Sequence, residues 1–75
     1  MDTRQIFLAV GEHDEHTHDC ETYSMLLNGK ATLEFNNEII SMQPNVKYVV
    51  PPNTVHCMKN IGETMVEAEC GGGSH

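Results

Sequence analysis

The sequence predicts an all-β fold, a small antiparallel barrel or sandwich, and three observations carry that expectation. No apolar pattern of period 3.6 is sustained anywhere along the chain. Short runs rich in β-branched and aromatic residues follow one another instead, separated by Asn, Gly and Pro. At 75 residues the chain makes a single domain. A domain of this size buries only about 60% of its unfolded surface, and is often supported by a metal, a disulfide or a second subunit.

The elements follow in order. "QIFLAV" is an apolar run too short for a signal-peptide core or a membrane span. "GEHDEH", with His13, reads as a solvated acidic loop. "YSMLL" and "KATLEF" flank Asn28-Gly29, the strongest two-residue hairpin signal, because both positions tolerate positive φ. "KATLEF" and "EIISM" flank Asn36-Asn37, a weaker form of the same turn. Pro44-Asn45 supplies the next turn. "VKYVV" then ends at Pro51-Pro52, since proline cannot continue a ladder. "HCMKN" and "MVEAEC" are the last strands, joined around Gly62. About seven short strands suit a small barrel, placed in residues 1–70, with 71–75 as a flexible C-terminal tail that includes His75.

The first turn sets which side chains face inward. With Asn28-Gly29 as a hairpin loop, Leu26 opposes Ala31, Ser24 opposes Leu33, and Thr22 opposes Phe35. Partners across a ladder share a face, as do alternate residues along a strand. Leu26, Ala31, Leu33 and Phe35 make that face the apolar one. Extended backwards without a bulge, the same parity turns Thr22, Cys20, His18 and His16 inward, and Glu21, Tyr23 and Met25 outward. Val66 and Ala68 are also expected inside. His56 follows the Pro-Pro turn at the start of a strand, with Met58 on its face and Cys57 on the other.

Charge and cysteines narrow the function. Eleven acidic residues against four basic ones give a net charge of −7. That argues against nucleic acid and anionic membrane surfaces, which call for a basic face. Three cysteines without a C-x-x-C pair make no disulfide framework, so a cytoplasmic setting is expected. Arg4 is the only arginine and sits near the N-terminus, so no arginine is expected at depth to hold a carboxylate.

His16, His18 and His56 are candidate ligands for one metal, each offering a neutral ring nitrogen. Read without that third residue, "EHDEHTHDCE" is equally a solvated polar run. The balance is tipped by a resemblance in two parts. "HTHDCETYSMLLNG" is similar to the first motif of the cupin superfamily: H-x-H, three or four residues, Glu, six residues, Gly. "NVKYVVPPNTVHCMKN" resembles the second, G-x5-P-x-G-x2-H-x3-N, with Pro51, His56 and Asn60 in place. Fifteen residues separate Gly29 from Asn45, and together the motifs span residues 16–60. Asn45 and Asn53 stand for two glycines; asparagine is the next most tolerant residue of left-handed backbone. Thr22 stands where the family has its glutamate.

The resemblance implies a cupin-type antiparallel β-barrel (a double-stranded β-helix, or jelly roll). It also implies one divalent transition metal per chain, Fe, Ni, Zn, Cu or Mn, on His16, His18 and His56. A site without a carboxylate suits Cu, Zn, Ni or Fe better than a hard cation. The expected cavity wall is Cys20, Thr22, Ser24, Leu26, Leu33, Phe35, Tyr48 and Met58, around a small-molecule ligand or substrate. Three readings remain open: metal-dependent chemistry of dioxygenase type, a non-catalytic binding or regulatory module, and, because of Thr22, a metal-free structural barrel. A homodimer is expected, with "QIFLAV" as the contact, because open sheet edges need cover.

Overall fold

A computed structural model describes residues 3–72, and they form eight strands and no helix. The strands are β1 (Thr3–Leu8), β2 (His13–His16), β3 (Thr22–Asn28), β4 (Ala31–Phe35), β5 (Glu38–Ser41), β6 (Lys47–Val50), β7 (His56–Asn60) and β8 (Val66–Gly72). Two antiparallel four-stranded sheets face each other, in the orders β1-β8-β3-β6 and β2-β7-β4-β5. This is the jelly roll the sequence predicts. Leu8, Leu26, Ala31, Leu33, Met42, Val50, Met58, Val66 and Ala68 fill the space between the sheets.

The register differs from expectation at its first step. Strands β3 and β4 do not pair; Asn28-Gly29 carries the chain from one sheet to the other. Only Gly29 has positive φ, +96°, whereas a two-residue hairpin of this type needs it at both positions. The inward parity survives because the sheets face a common core, so residues turned inward on either strand meet there. The real two-residue hairpin is Asn36-Asn37, with φ of 54° and 62° and Phe35 opposite Glu38. Asn45 and Asn53 adopt φ of 64° and 59°, the left-handed conformation for which asparagine substitutes for glycine.

Gly29 also meets backbone. A Cβ there would lie 3.0 Å from the Met65 carbonyl oxygen and 3.1 Å from Val66 Cα, atoms that cannot swing aside. Gly29→Ala is therefore expected to lower stability by about 1–3 kcal/mol, through left-handed strain and this contact. The midpoint of urea unfolding measures it, and an unchanged midpoint contradicts the close packing of the crossing.

Two further expectations change. "GEHDEH" is not all loop, since His13–His16 form β2. The barrel does not stop at residue 70: β8 pairs through Gly71 with Tyr23 and through Gly72 with Thr22. Gly71 is buried under the Tyr23 ring, and a Cβ at 71 would collide with Tyr23 Cε2. The rest of the expected tail, His75 included, lies outside the described residues.

Candidate functional site

The connection from β2 to β3 crosses from one sheet to the other, so His16 and Thr22 do not lie on one regular strand. His16 belongs to β2 and faces His56 across the β2–β7 ladder. His18 follows in the crossing segment. Its carbonyl accepts a hydrogen bond from the Asn53 N–H at 2.7 Å. The left-handed turn at Asn53 thereby ties the His18 segment to the chain that enters β7. Three residues later His56 is buried, 6% exposed. The ring centroids of His16, His18 and His56 are 5.4 to 6.3 Å apart.

Hydrogen bonds to two of these rings settle which nitrogen stays free. His56 Nδ1 lies 3.1 Å from the Thr54 carbonyl. A carbonyl only accepts, so Nδ1 carries the proton and the Nε2 lone pair is available. His16 Nε2 donates to Asp14 Oδ2 at 2.8 Å, which leaves Nδ1 as its free nitrogen. Asp14 shares the face of His16 two residues away and reads as its orienting partner, as carboxylates do behind ligand histidines. Burial first, then His56 and His16, hold the His18 pKa below the ordinary histidine value, with Arg4 contributing in the same direction. The shift favours the neutral form of His18, the one with a lone pair to offer. As they stand, no three His, Cys, Asp or Glu side chains among the described residues form a ready-made cation site.

A cavity of about 220 Å³ opens beside the rings. Arg4 and Ile6 of β1, His16, His18, Cys20, and Thr22, Tyr23 and Ser24 of β3 line it. His56 and Cys70, Gly71 and Gly72 of β8 complete the wall. Cys20, Thr22 and Ser24 thus stand where sequence parity puts them, although Cys20 is exposed rather than buried. Five other residues expected on the wall sit elsewhere. Leu26, Leu33 and Met58 are core. Phe35 packs on the edge of that core, and so does Tyr48, whose hydroxyl accepts the Gln43 N–H at 2.8 Å. The inward rows run deeper than the cavity does, so parity selects more residues than the cavity touches. Glu21 is exposed and Thr22 buried, in keeping with the missing carboxylate.

Sequence reasoning missed Arg4 and Asp14. Arg4 lines the cavity because β1 pairs with the C-terminal strand, Arg4 opposite Cys70. That corrects the expectation of no arginine near the site. Asp14 was legible: alternation from His16 along β2 finds it once "HDEH" is read as a strand.

Two of the thiols, Cys57 and Cys70, are poorly set up for thiolate chemistry. Burial pushes the Cys70 pKa up, partly offset by its contact with Ser24 Oγ at 3.7 Å. Burial and then Glu15 push Cys57 up on the outer face. A groove of about 610 Å³ there carries His13, Glu15, Glu34, Cys57 and Lys59. It is open, and its charges are of both signs, so it makes a solvated surface rather than an enclosed site.

Comparison with known proteins agrees with this architecture. No curated protein matches the chain significantly. A cupin superfamily protein from Desulfitobacterium hafniense superposes with a TM-score of 0.79 at 22% identity, over 91% of this chain and 62% of the other. The Cupin_2 domain of an XRE family transcriptional regulator from Enterobacter cloacae gives 0.83 at 19% identity, over 92% and 76%. A predicted oxalate decarboxylase from Thermotoga maritima gives 0.80 at 18% identity, over 91% and 61%. The chain therefore spans only about six-tenths of the length of two of these three proteins. At such identities the likeness establishes the fold. The family model for the cupin domain matches residues 5–70, nearly the whole barrel, and the chain belongs to the cupin family.

Proposed function

We propose that His16, His18 and His56 bind one divalent transition metal, and that the metal faces a small molecule in the adjoining cavity. The observation that carries this reading is the convergence of three imidazoles, two of them with the free nitrogen set by a hydrogen bond. Three imidazoles on one ion at about 2.0–2.1 Å per bond have ring centroids about 4.5–5.5 Å apart. The closest pair, His18 and His56, is at 5.4 Å, and the widest, His16 and His56, at 6.3 Å. Modest ring rotations close that gap. The donor set fits Fe, Ni, Zn or Cu, and Mn less well, because Thr22 replaces the carboxylate that a harder ion prefers. When bound, such a metal supplies a Lewis-acid centre with open positions.

Two uses of the cavity differ in what they ask of it. Dioxygenase-type or other metal-assisted chemistry needs the open metal positions. A binding or regulatory module needs only the cavity, and likeness to the cupin domain of a transcriptional regulator favours it. Likeness to a predicted oxalate decarboxylase favours chemistry. Mass-spectrometric metal analysis of protein purified without nickel resin decides the metal. About one ion per chain supports the site, and a clean metal-free protein refutes it. Oxygen-uptake screens on thiols and small diketones then separate the two uses.

The three free thiols suit a reducing compartment such as the cytoplasm. No described helix is long and apolar enough to cross a membrane. A homodimer remains part of the proposal. Strand β1 is an edge strand with β8 on one side only, and Phe7 on its outer face is 55% exposed. Pairing two β1 edges covers both at once. Light scattering is expected to give twice the chain mass, persisting at high salt because the contact is apolar and hydrogen-bonded. A monomer under those conditions rejects it.

A further inference from the structure

We propose that the cavity binds a small carboxylate, held by the Arg4 guanidinium at the end of β1. This rests on the cavity being the functional site, but it does not require the metal.

The first ground is the distribution of charge. Acidic residues outnumber basic ones eleven to four, yet no carboxylate lines this cavity. Its wall gathers the only arginine and three histidines instead. Asp14 reaches the group only by its hydrogen bond to His16. The one fixed charge on the wall is the positive charge of Arg4, which sets the cavity up for an anion.

The second ground is that Arg4 has no protein partner among the described residues. Their only ion pair is His16 with Asp14, and no described side chain takes a hydrogen bond from the guanidinium. An arginine surrounded by surplus carboxylates usually acquires one. Arg4 does not: it alternates with Ile6 and Leu8 on the cavity side of β1 and is itself exposed, at the rim of the cavity. Its planar fork of N–H donors matches a carboxylate in two parallel hydrogen bonds.

The third ground is size. A cavity of about 220 Å³ lies below the ~300 Å³ at which drug-sized sites begin, and holds about seven waters by volume. That limits the ligand to a few carbons. Ile6, Cys70 and the glycines supply apolar contact for a short chain, and Thr22 offers a hydroxyl. A planar carboxylate on Arg4 leaves the other end of such a molecule toward the histidines.

Calorimetric titration of the purified chain, with and without added Zn(II), tests the assignment with acetate, oxalate, malonate and succinate. Acetamide and inorganic phosphate are the comparison ligands. At least one carboxylate is expected to bind in the millimolar range or tighter, acetamide not at all, and phosphate more weakly. Arg4→Gln should weaken carboxylate binding roughly tenfold or more, and Arg4→Lys by less, because lysine keeps the charge and loses the fork. Zn(II) stoichiometry, measured on the same samples, should not change, since arginine is no ligand. Equal carboxylate affinity in the wild-type protein and both variants overturns the proposal. So does phosphate binding as tightly as the best carboxylate, or no carboxylate binding at tens of millimolar. Loss of Zn(II) binding with Arg4-dependent carboxylate binding intact would instead refute the metal reading alone. If Arg4→Gln fails to fold, Arg4→Lys still decides whether the fork matters.

Discussion

His56→Ala is expected to take metal content from about one ion per chain to near zero. His56 is the buried member of the three and the one whose free nitrogen is fixed by a backbone carbonyl. Two histidines remaining on one segment hold a divalent ion far more weakly than three. The loss has a second readout in stability. A ligand that binds only the folded chain stabilises it by about 2.7 kcal/mol at a hundredfold excess over Kd. Zn(II) should therefore raise the melting temperature of the wild-type protein and leave that of His56→Ala unmoved. His13→Ala is the control, because His13 is exposed on the outer face of β2, away from the cavity. Protons compete for the same nitrogens, and the sign follows from His18. Its pKa lies below the usual value of about 6.5, so it remains neutral to lower pH than an exposed histidine. Retention is expected to hold at neutral pH and to be lost as pH falls through and below the ordinary imidazole range. Full metal content in His56→Ala, or the same loss in His13→Ala, refutes the three-histidine reading.

The parts of this fold that local pattern reveals are those that local chemistry decides. Asn36-Asn37 is a turn because both residues tolerate left-handed backbone, and the structure has both there. The same reasoning gave Asn45 and Asn53 the conformation of the glycines they replace. Alternation placed Ser24, Leu26, Ala31 and Leu33 inside, and all four are buried. It did so despite a wrong pairing, since a strand facing a core looks the same whichever neighbour holds it. Pairing itself is non-local, and there the pattern fails. Nothing near Asn28-Gly29 says that β3 will pair with β8 and β6 rather than with β4. Nothing near Arg4 says that it will lie opposite Cys70. The cavity is built from such distant pairings, so its histidines were legible through motif spacing while its arginine was not.

Asn60 is expected to matter to the fold as much as His56 does to the metal. It closes the second motif and shares the inward parity of His56 and Met58 at the far end of β7. Its Nδ2 donates to the Leu8 carbonyl at 3.0 Å and the Thr64 carbonyl at 2.9 Å, while Oδ1 accepts the Gly62 N–H at 2.9 Å. One side chain, 4% exposed, thus joins the end of β1 in one sheet to β7 in the other and to the crossing into β8. Asn60→Ala removes three hydrogen bonds and leaves buried backbone groups unpaired, at about 1–3 kcal/mol for such a group. A total near 3 kcal/mol is a large share of the roughly 4–11 kcal/mol expected for a chain this size. The melting temperature should fall by about 12–24 °C. Asn60→Asp is the sharper test. It keeps the acceptor for Gly62, but at neutral pH it sets a carboxylate against two carbonyl oxygens. Burial against two carbonyl oxygens, with only the Gly62 N–H as a donor, raises its folded pKa above the unfolded value of about 3.9. The folded state then binds the proton more tightly, so the variant should be most stable below that value and lose stability as pH rises through the folded pKa. Asn60→Asp with wild-type stability at neutral pH, or with stability rising alongside pH in that window, would mean that this asparagine does not hold the two sheets together.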